Sequence, residues 1–187
     1  EEAGRVTSIV RYAPGSAFHR HPHPDGEEIL VLSGIFSDER GDHPAGTFLL
    51  NPEGFSHAPG STPGCTLLVK LRQYGGADRL QAAIDTNAMA WQPHPTIAGV
   101  DLKPLYSQPG YPEEIRLVRI APGAEIGAVS FPGGEEIFVI SGDFSDEHGQ
   151  WRTGSWIRYP AGSGHTPRTE GGCVLYVKKG HLPAERI

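Results

Sequence analysis

Cysteine is scarce in this chain of 187 residues: Cys65 and Cys173 are the only two, too few for a disulfide framework. Long apolar runs are also missing, and no stretch approaches the roughly 20 residues that span a bilayer as a helix. Positive charge is thin, with 16 Lys and Arg against 22 Asp and Glu and a formal net charge of -6. No Lys/Arg cluster exists to neutralise phosphates, which disfavours a nucleic-acid or acidic-membrane partner. No signal peptide is visible, and the chain opens on Glu1 without a Met, so further residues are expected to precede it. With two cysteines and no visible leader, a reducing cytoplasm is the expected compartment.

What the chain has in quantity is turn residues, 25 Gly and 17 Pro. They recur every eight to twelve residues or so, a spacing that suits short strands joined by turns rather than long helices. The chain also repeats itself. Ala13-Pro14-Gly15 returns as Ala121-Pro122-Gly123, and at that offset residues 10–70 align with 118–178 without a gap, with 28 of 61 positions identical. Shared landmarks include Gly26-Glu27-Glu28-Ile29 with Gly134-Glu135-Glu136-Ile137, and Phe36-Ser37-Asp38-Glu39 with Phe144-Ser145-Asp146-Glu147. Cys65 and Cys173 fall at equivalent places, which favours a role as small buried hydrophobes. Two copies of one fold are expected, over residues 1–75 and 114–187. Residues 76–113 form an intervening segment whose Trp91, Leu102, Leu105 and Tyr106 give it apolar surface to pack.

Within each copy the pattern predicts strands. Glu28–Leu32 and Glu136–Ile140 are short β-rich runs that Ser-Gly is expected to stop, and residues 47–50, 155–158, 66–71 and 174–179 read the same way. Strands of this length and spacing point to a sandwich or barrel. Only Ala77–Ile84 is compatible with a helix, and it fits an extended arm equally well.

His19, His21 and His23 alternate, so on an extended segment their imidazoles share a face. A three-residue turn, Pro24-Asp25-Gly26, leads to Glu27, and His57 follows Gly54 further on. These nitrogen and oxygen donors suit Zn²⁺, Fe²⁺, Mn²⁺ or Ni²⁺.

The spacings resemble the two cupin motifs. Gly15, five residues, His21-Pro22-His23, three residues, Glu27, six residues and Gly34 match the first, and Gly46, Pro52-Glu53-Gly54 and His57 match the second. Ser61 stands where that family commonly has Asn. More narrowly, Glu27–Gly34, Phe36–Glu39, His57-Ala58-Pro59 and Gly64-Cys65 resemble the ChrR branch, named for the zinc-binding cupin domain of an anti-sigma factor. The resemblance covers about 60 residues in each half. It implies an all-β bicupin, two tandem jelly-roll barrels, with one divalent metal held by the residues matching His21, His23, Glu27 and His57. The namesake's anti-sigma region has no counterpart here, so sigma-factor binding does not carry over. The branch also includes small iron dioxygenases that cleave diketones and hydroxy-ketones.

Other polar residues are expected to have plainer roles. His19 is expected beside the site, or exposed at the strand start, rather than on the metal, and Glu28, by alternation, on the opposite face from Glu27. His43, His94, His148 and His181 sit among turn residues and are expected to be solvated, and Asp38-Glu39 and Asp146-Glu147 are expected to serve turns. In the second copy Val129 and Phe131 replace His21 and His23 while Glu135 and His165 persist, so a structural domain is expected there, its pocket vestigial or apolar and filled by Phe131.

Two functions from different classes follow. One is an Fe²⁺ dioxygenase acting on a small oxygenated organic molecule, in which three histidines and a carboxylate leave positions open on a six-coordinate metal. The other is a zinc-closed sensor or regulatory module without catalysis. Hydrolase, lyase or isomerase chemistry at a non-redox metal would use the same residues. A homodimer is left open.

Overall fold

The computed structural model describes residues 4–76 and 78–182. Among them every regular element is a strand, and no helix is long and apolar enough to cross a membrane. Two compact units divide the chain, Glu1–Met89 and Ala90–Ile187.

In the first unit the main sheet runs Val6–Tyr12, Cys65–Leu71, Glu27–Asp38, Thr47–Asn51 and Ala82–Asp85, with antiparallel neighbours throughout. Ile29, Val31, Phe36, Leu49, Cys65, Leu67 and Val69 form one buried cluster on it. Glu28 lies across from Lys70 in register, and both are buried. The second unit repeats the plan in the order Gln92–Pro93, Val100–Ser107, Glu114–Ile120, Cys173–Lys179, Glu135–Asp146 and Gly149–Arg152, with Trp156–Tyr159 also pairing the long strand. Residues 76–113 therefore divide between the units: Ala82–Asp85 joins the first sheet, and Val100–Ser107 joins the second. The arm reading of Ala77–Ile84 holds from Ala82 onward, while Ala77 itself lies outside the described residues. Trp91 packs beneath Lys103 and Arg119, and Leu105 and Tyr106 are buried. Both cysteines are buried and free.

One expectation about the strands is corrected. Ser33-Gly34 does not stop its strand, which continues to Asp38, and the second copy likewise runs on to Asp146. A bulge between Val31 and Ser33 leaves Leu32 as the extra residue, and its counterpart lies between Val139 and Ser141. One extra residue shifts the strand's alternation by one. Glu27, Ile29 and Val31 thus share a face with Phe36 and Asp38, although odd and even positions would otherwise point apart.

Just beyond the bulge, Gly34 pairs with Cys65 and lets the neighbouring strand approach closely. Its φ is +75°, and an added Cβ would sit 2.0 Å from the Gly64 carbonyl oxygen. Gly15 has a similar φ of +76° but nothing within 4 Å. Left-handed strain alone predicts a loss of about 1 kcal/mol for Gly15→Ala, whereas strain plus backbone overlap predicts roughly 3 kcal/mol or more for Gly34→Ala. Urea denaturation of the two variants measures the difference, and equal losses would remove the close approach as the cause.

Candidate metal centre

His21–His23 and Phe55–His57 pair as a short antiparallel ribbon, with His21 opposite His57. Alternation places His21 and His23 on one face. The chain then turns through Gly26, at φ +72° with its N–H donating to the His23 carbonyl at 3.2 Å, and enters the main sheet at Glu27. Glu27 lies opposite Asn51.

These pairings gather four predicted residues. The His21–His23, His21–His57 and His23–His57 ring centroids lie 4.9, 5.2 and 4.9 Å apart, and one nitrogen from each ring is within 4.8 Å of the other two. His23 Nε2 is 3.0 Å from His57 Nε2. The Glu27 oxygens lie 3.7 Å from His23 Nε2 and 3.6 Å from His57 Nε2. Bonds of about 2.0–2.2 Å to one ion place adjacent donors about 3.0–3.5 Å apart. The donor separations come close to that requirement, so the residues present fit a divalent metal.

The surrounding hydrogen bonds aim the rings. His21 Nδ1 lies 2.8 Å from the His19 carbonyl, which places a proton on Nδ1 and leaves Nε2 with its lone pair. His57 Nδ1, sealed from solvent, has no hydrogen-bond partner; it faces Asp38 Oδ2 at 3.6 Å, a distance of charge attraction rather than a hydrogen bond. A proton on Nδ1 is favoured there and again frees Nε2. Asp38 also accepts from Arg40 Nε at 3.0 Å and pairs with His43 Nε2 at 3.1 Å. Burial pushes the Asp38 carboxyl up, but His57, Arg40 and His43 outweigh it and hold the group far below the ordinary carboxylate range. Burial, then the neighbouring His57 and His21 rings, lower His23 to about 4, which keeps it neutral and able to donate a lone pair. Burial raises Glu27, opposed by His57 and by Asn51 Nδ2, which donates to Glu27 Oε2 at 3.0 Å.

His19 is exposed before the strand start, off the metal as expected, and only its carbonyl serves the site. Several other expectations change, the first being that the three-histidine face stops at two. His43 is buried rather than solvated: it lies opposite Phe36 and stacks on that ring at 6.0 Å. His181 is part-buried, 3.4 Å from Glu136, and His94 is part-buried with Nδ1 accepting from the Thr96 and Ile97 N–H groups; His148 is exposed as expected. Asp38 does serve its turn, accepting from the Arg40 N–H at 2.9 Å, but it also reaches His57. Asn51 and Arg40 escaped the sequence reading. Arg40 Nη1 donates to Asn51 Oδ1 at 2.9 Å, linking Asp38 to Glu27 through two side chains. The one sequence signal was Asn51 itself, a polar end to the apolar run 48–50.

In the second unit Val129 lies opposite His165 and Phe131 opposite Ser163. His165 Nδ1 is 2.9 Å from Asp146 Oδ2, and the Tyr159 hydroxyl donates to the same oxygen. Among the described residues no second group of three metal donors forms. Phe131 packs against Tyr159 and His165 but does not fill the interior, where a cavity of about 410 Å³ remains. Burial raises Glu135 from 4.5 to about 7, partly offset by Arg116 and Lys179.

A family model described as the ChrR cupin-like domain matches residues 1–75 and 80–183. A proposed dioxygenase from Nostoc punctiforme has a similar structure, with a TM-score of 0.84 at 17% identity, covering 99% of this chain and 72% of its own. Salicylate 1,2-dioxygenase from Pseudaminobacter salicylatoxidans gives 0.70 at 13%, covering 94% and 71%. Oxalate decarboxylase from Bacillus subtilis gives 0.70 at 14%, covering 97% and 69%. At these identities the likeness shows the fold, a cupin jelly roll, and nothing finer. Among curated proteins none matches the sequence.

Two outcomes are expected. Asp38→Asn weakens metal affinity about 10- to 100-fold, as loss of an orienting carboxylate does, and Asp146→Asn leaves it unchanged; competition against a chromogenic chelator reads both. Because Glu135 holds its proton more tightly folded than unfolded, the wild type loses stability as pH rises from 4.5 through about 7. Glu135→Gln should flatten that decline, and parallel decline in thermal melts from pH 4.5 to 8 would refute the assignment.

Proposed function

The chain belongs to the ChrR cupin-like family, and from that premise we propose a mononuclear non-haem iron dioxygenase acting on a small oxygenated organic substrate. In this reading the chain is two tandem cupin barrels, residues 1–75 and 114–187, with 76–113 packed on or adding strands to them. One divalent metal per chain, Fe²⁺ in this function, is held in the first by His21, His23, Glu27 and His57. The observation that carries the proposal is the convergence of three imidazoles and a carboxylate at donor–donor distances suited to one ion. Such a set on a six-coordinate metal leaves two positions for a chelating diketone or hydroxy-ketone, or for substrate and O₂. When bound, Fe²⁺ supplies Lewis acidity and one-electron chemistry toward O₂.

The chain's own groups do the rest. Asp38 and the His19 carbonyl set the tautomers of His57 and His21. Asn51 steadies Glu27, whose burial-raised carboxyl suits it to take a substrate proton if it leaves the ion. Two of the similar structures carry the name dioxygenase, which supports the reaction class by analogy of fold.

A zinc-binding regulatory module is the alternative. What favours it is that three imidazoles and Glu27 already complete a tetrahedral set, leaving no open position.

Ligand exchange separates the two. In the anaerobic Fe²⁺ protein, pentane-2,4-dione should produce a new visible charge-transfer absorption, and on admitting air the ketone and O₂ should be consumed in equal amounts. His21→Ala and His57→Ala should abolish both signals. No ligand exchange with any metal, together with a large chelator-induced fall in Tm, would establish the regulatory module instead.

A further inference from the structure

Strand register places more charge at one end of the second unit's cavity than at the equivalent end of the first. Glu114, Lys179 and Glu135 lie side by side on three adjacent strands, and Arg116, Val177 and Ile137 form the next row. Below them come Val118, Leu175 and Val139. The equivalent rows of the first unit are Val6, Leu71 and Glu27, then Ser8, Val69 and Ile29. Loss of the two ribbon histidines in the second copy is thus accompanied by a part-buried Arg116 and Lys179 and an exposed Glu114 at the open end of the cavity.

All these charged groups line the cavity of about 410 Å³, whose remaining wall includes Val118, Ile120, Ile137, Phe144, Leu175 and Val177. That volume lies within the range of small-molecule sites, roughly 300–1,000 Å³. Lys179 is matched by Glu114 at 2.9 Å. Arg116 feels Glu114 and Glu135 only through space, and its Nε is sealed from solvent with no hydrogen-bond partner. A buried guanidinium donor left unsatisfied is costly, and a carboxylate is the group whose two oxygens suit its fork. His94 lines the same cavity; with Nδ1 accepting from two backbone N–H groups, its Nε2 carries the proton and adds a donor.

We propose that this cavity binds a small carboxylic acid with an apolar body, its carboxylate on Arg116 and its body against Val118, Ile137, Phe144 and Leu175. Glu135, raised to about 7 by burial, is protonated below that pH and in that form hydrogen-bonds an incoming carboxylate rather than repelling it. None of these residues belongs to the metal set, so the proposal stands apart from the oxygenase assignment.

Calorimetric titration of the full chain with octanoate, octan-1-ol and inorganic phosphate tests it. Octanoate should bind once per chain, at least tenfold more tightly than either comparison compound, and affinity should climb from butanoate to octanoate. Arg116→Gln should weaken octanoate at least tenfold, Arg116→Lys less, and Val118→Trp, which fills the cavity, should abolish binding; thermal melts confirm that each variant is folded. Since a carboxylate can also ligate a metal, the Co²⁺-substituted protein is titrated as well, and its visible spectrum should stay unchanged at octanoate saturation. Octanoate binding no tighter than octanol or phosphate, binding indifferent to both Arg116→Gln and Val118→Trp, or binding that tracks the Co²⁺ spectrum would overturn the proposal.

Discussion

Within the first unit, the polar interior depends on the bulge after Val31. Without the extra residue, Asp38 would point away from Glu27, and His57 would have no carboxylate behind its Nδ1. With it, one continuous strand supplies both the carboxylate that faces the histidine nitrogens and the carboxylate that orients one of them. The hairpin beyond the bulge sets His43 opposite Phe36, so a second imidazole supports Asp38 from the far side. Glu39, at the tip, accepts from the Ala58 N–H at 3.0 Å and ties the segment after His57 to the same hairpin. A single backbone irregularity thereby couples the ligand face to its supporting shell.

The second unit keeps this frame and changes its occupants. The bulge, the buried aspartate and the distal histidine are all present, with Trp151 Nε1 donating to Asp146 at 3.1 Å where His43 faces Asp38. The Glu147 carboxylate accepts from the Thr166 N–H at 2.9 Å, as Glu39 does from Ala58. What differs is the chemistry carried inward: Val129 and Phe131 for histidines, Tyr159 for Asn51, and Arg116 for Ser8. Retention of Asp38 and Asp146 in both copies therefore reports a frame that any interior can use. The departures around it separate a metal-fitting interior from an apolar one with a cationic end.

Much of this was legible in the sequence. Glycine and proline punctuation located the strands, the repeat located two copies, and motif spacing located His21, His23, Glu27 and His57, which the structure brings together. The failures share a physical origin. Strict alternation cannot register a bulge, so it neither carries the strand past Gly34 nor brings Asp38, which also serves its turn, to His57. Turn-rich surroundings suggested exposure for His43, although cross-strand pairing, a non-local fact, buries it against Phe36. Asn51 and Arg40 matter only through Glu27 and Asp38, and no local pattern announces such partners. The interior of the second unit was hidden for the same reason, since Arg116, Lys179 and Glu135 are far apart in the chain and become neighbours only through strand register.

The central claim is one metal, in the first unit, on His21, His23, Glu27 and His57. Anomalous diffraction at the absorption edge of the metal that co-purifies with the protein tests it most directly. The account predicts a single strong peak per chain, within bonding distance of His23 Nε2, His57 Nε2, a His21 nitrogen and a Glu27 oxygen. A peak at Glu135 and His165, or one beside His57 that leaves His21 and Glu27 unligated, would contradict it.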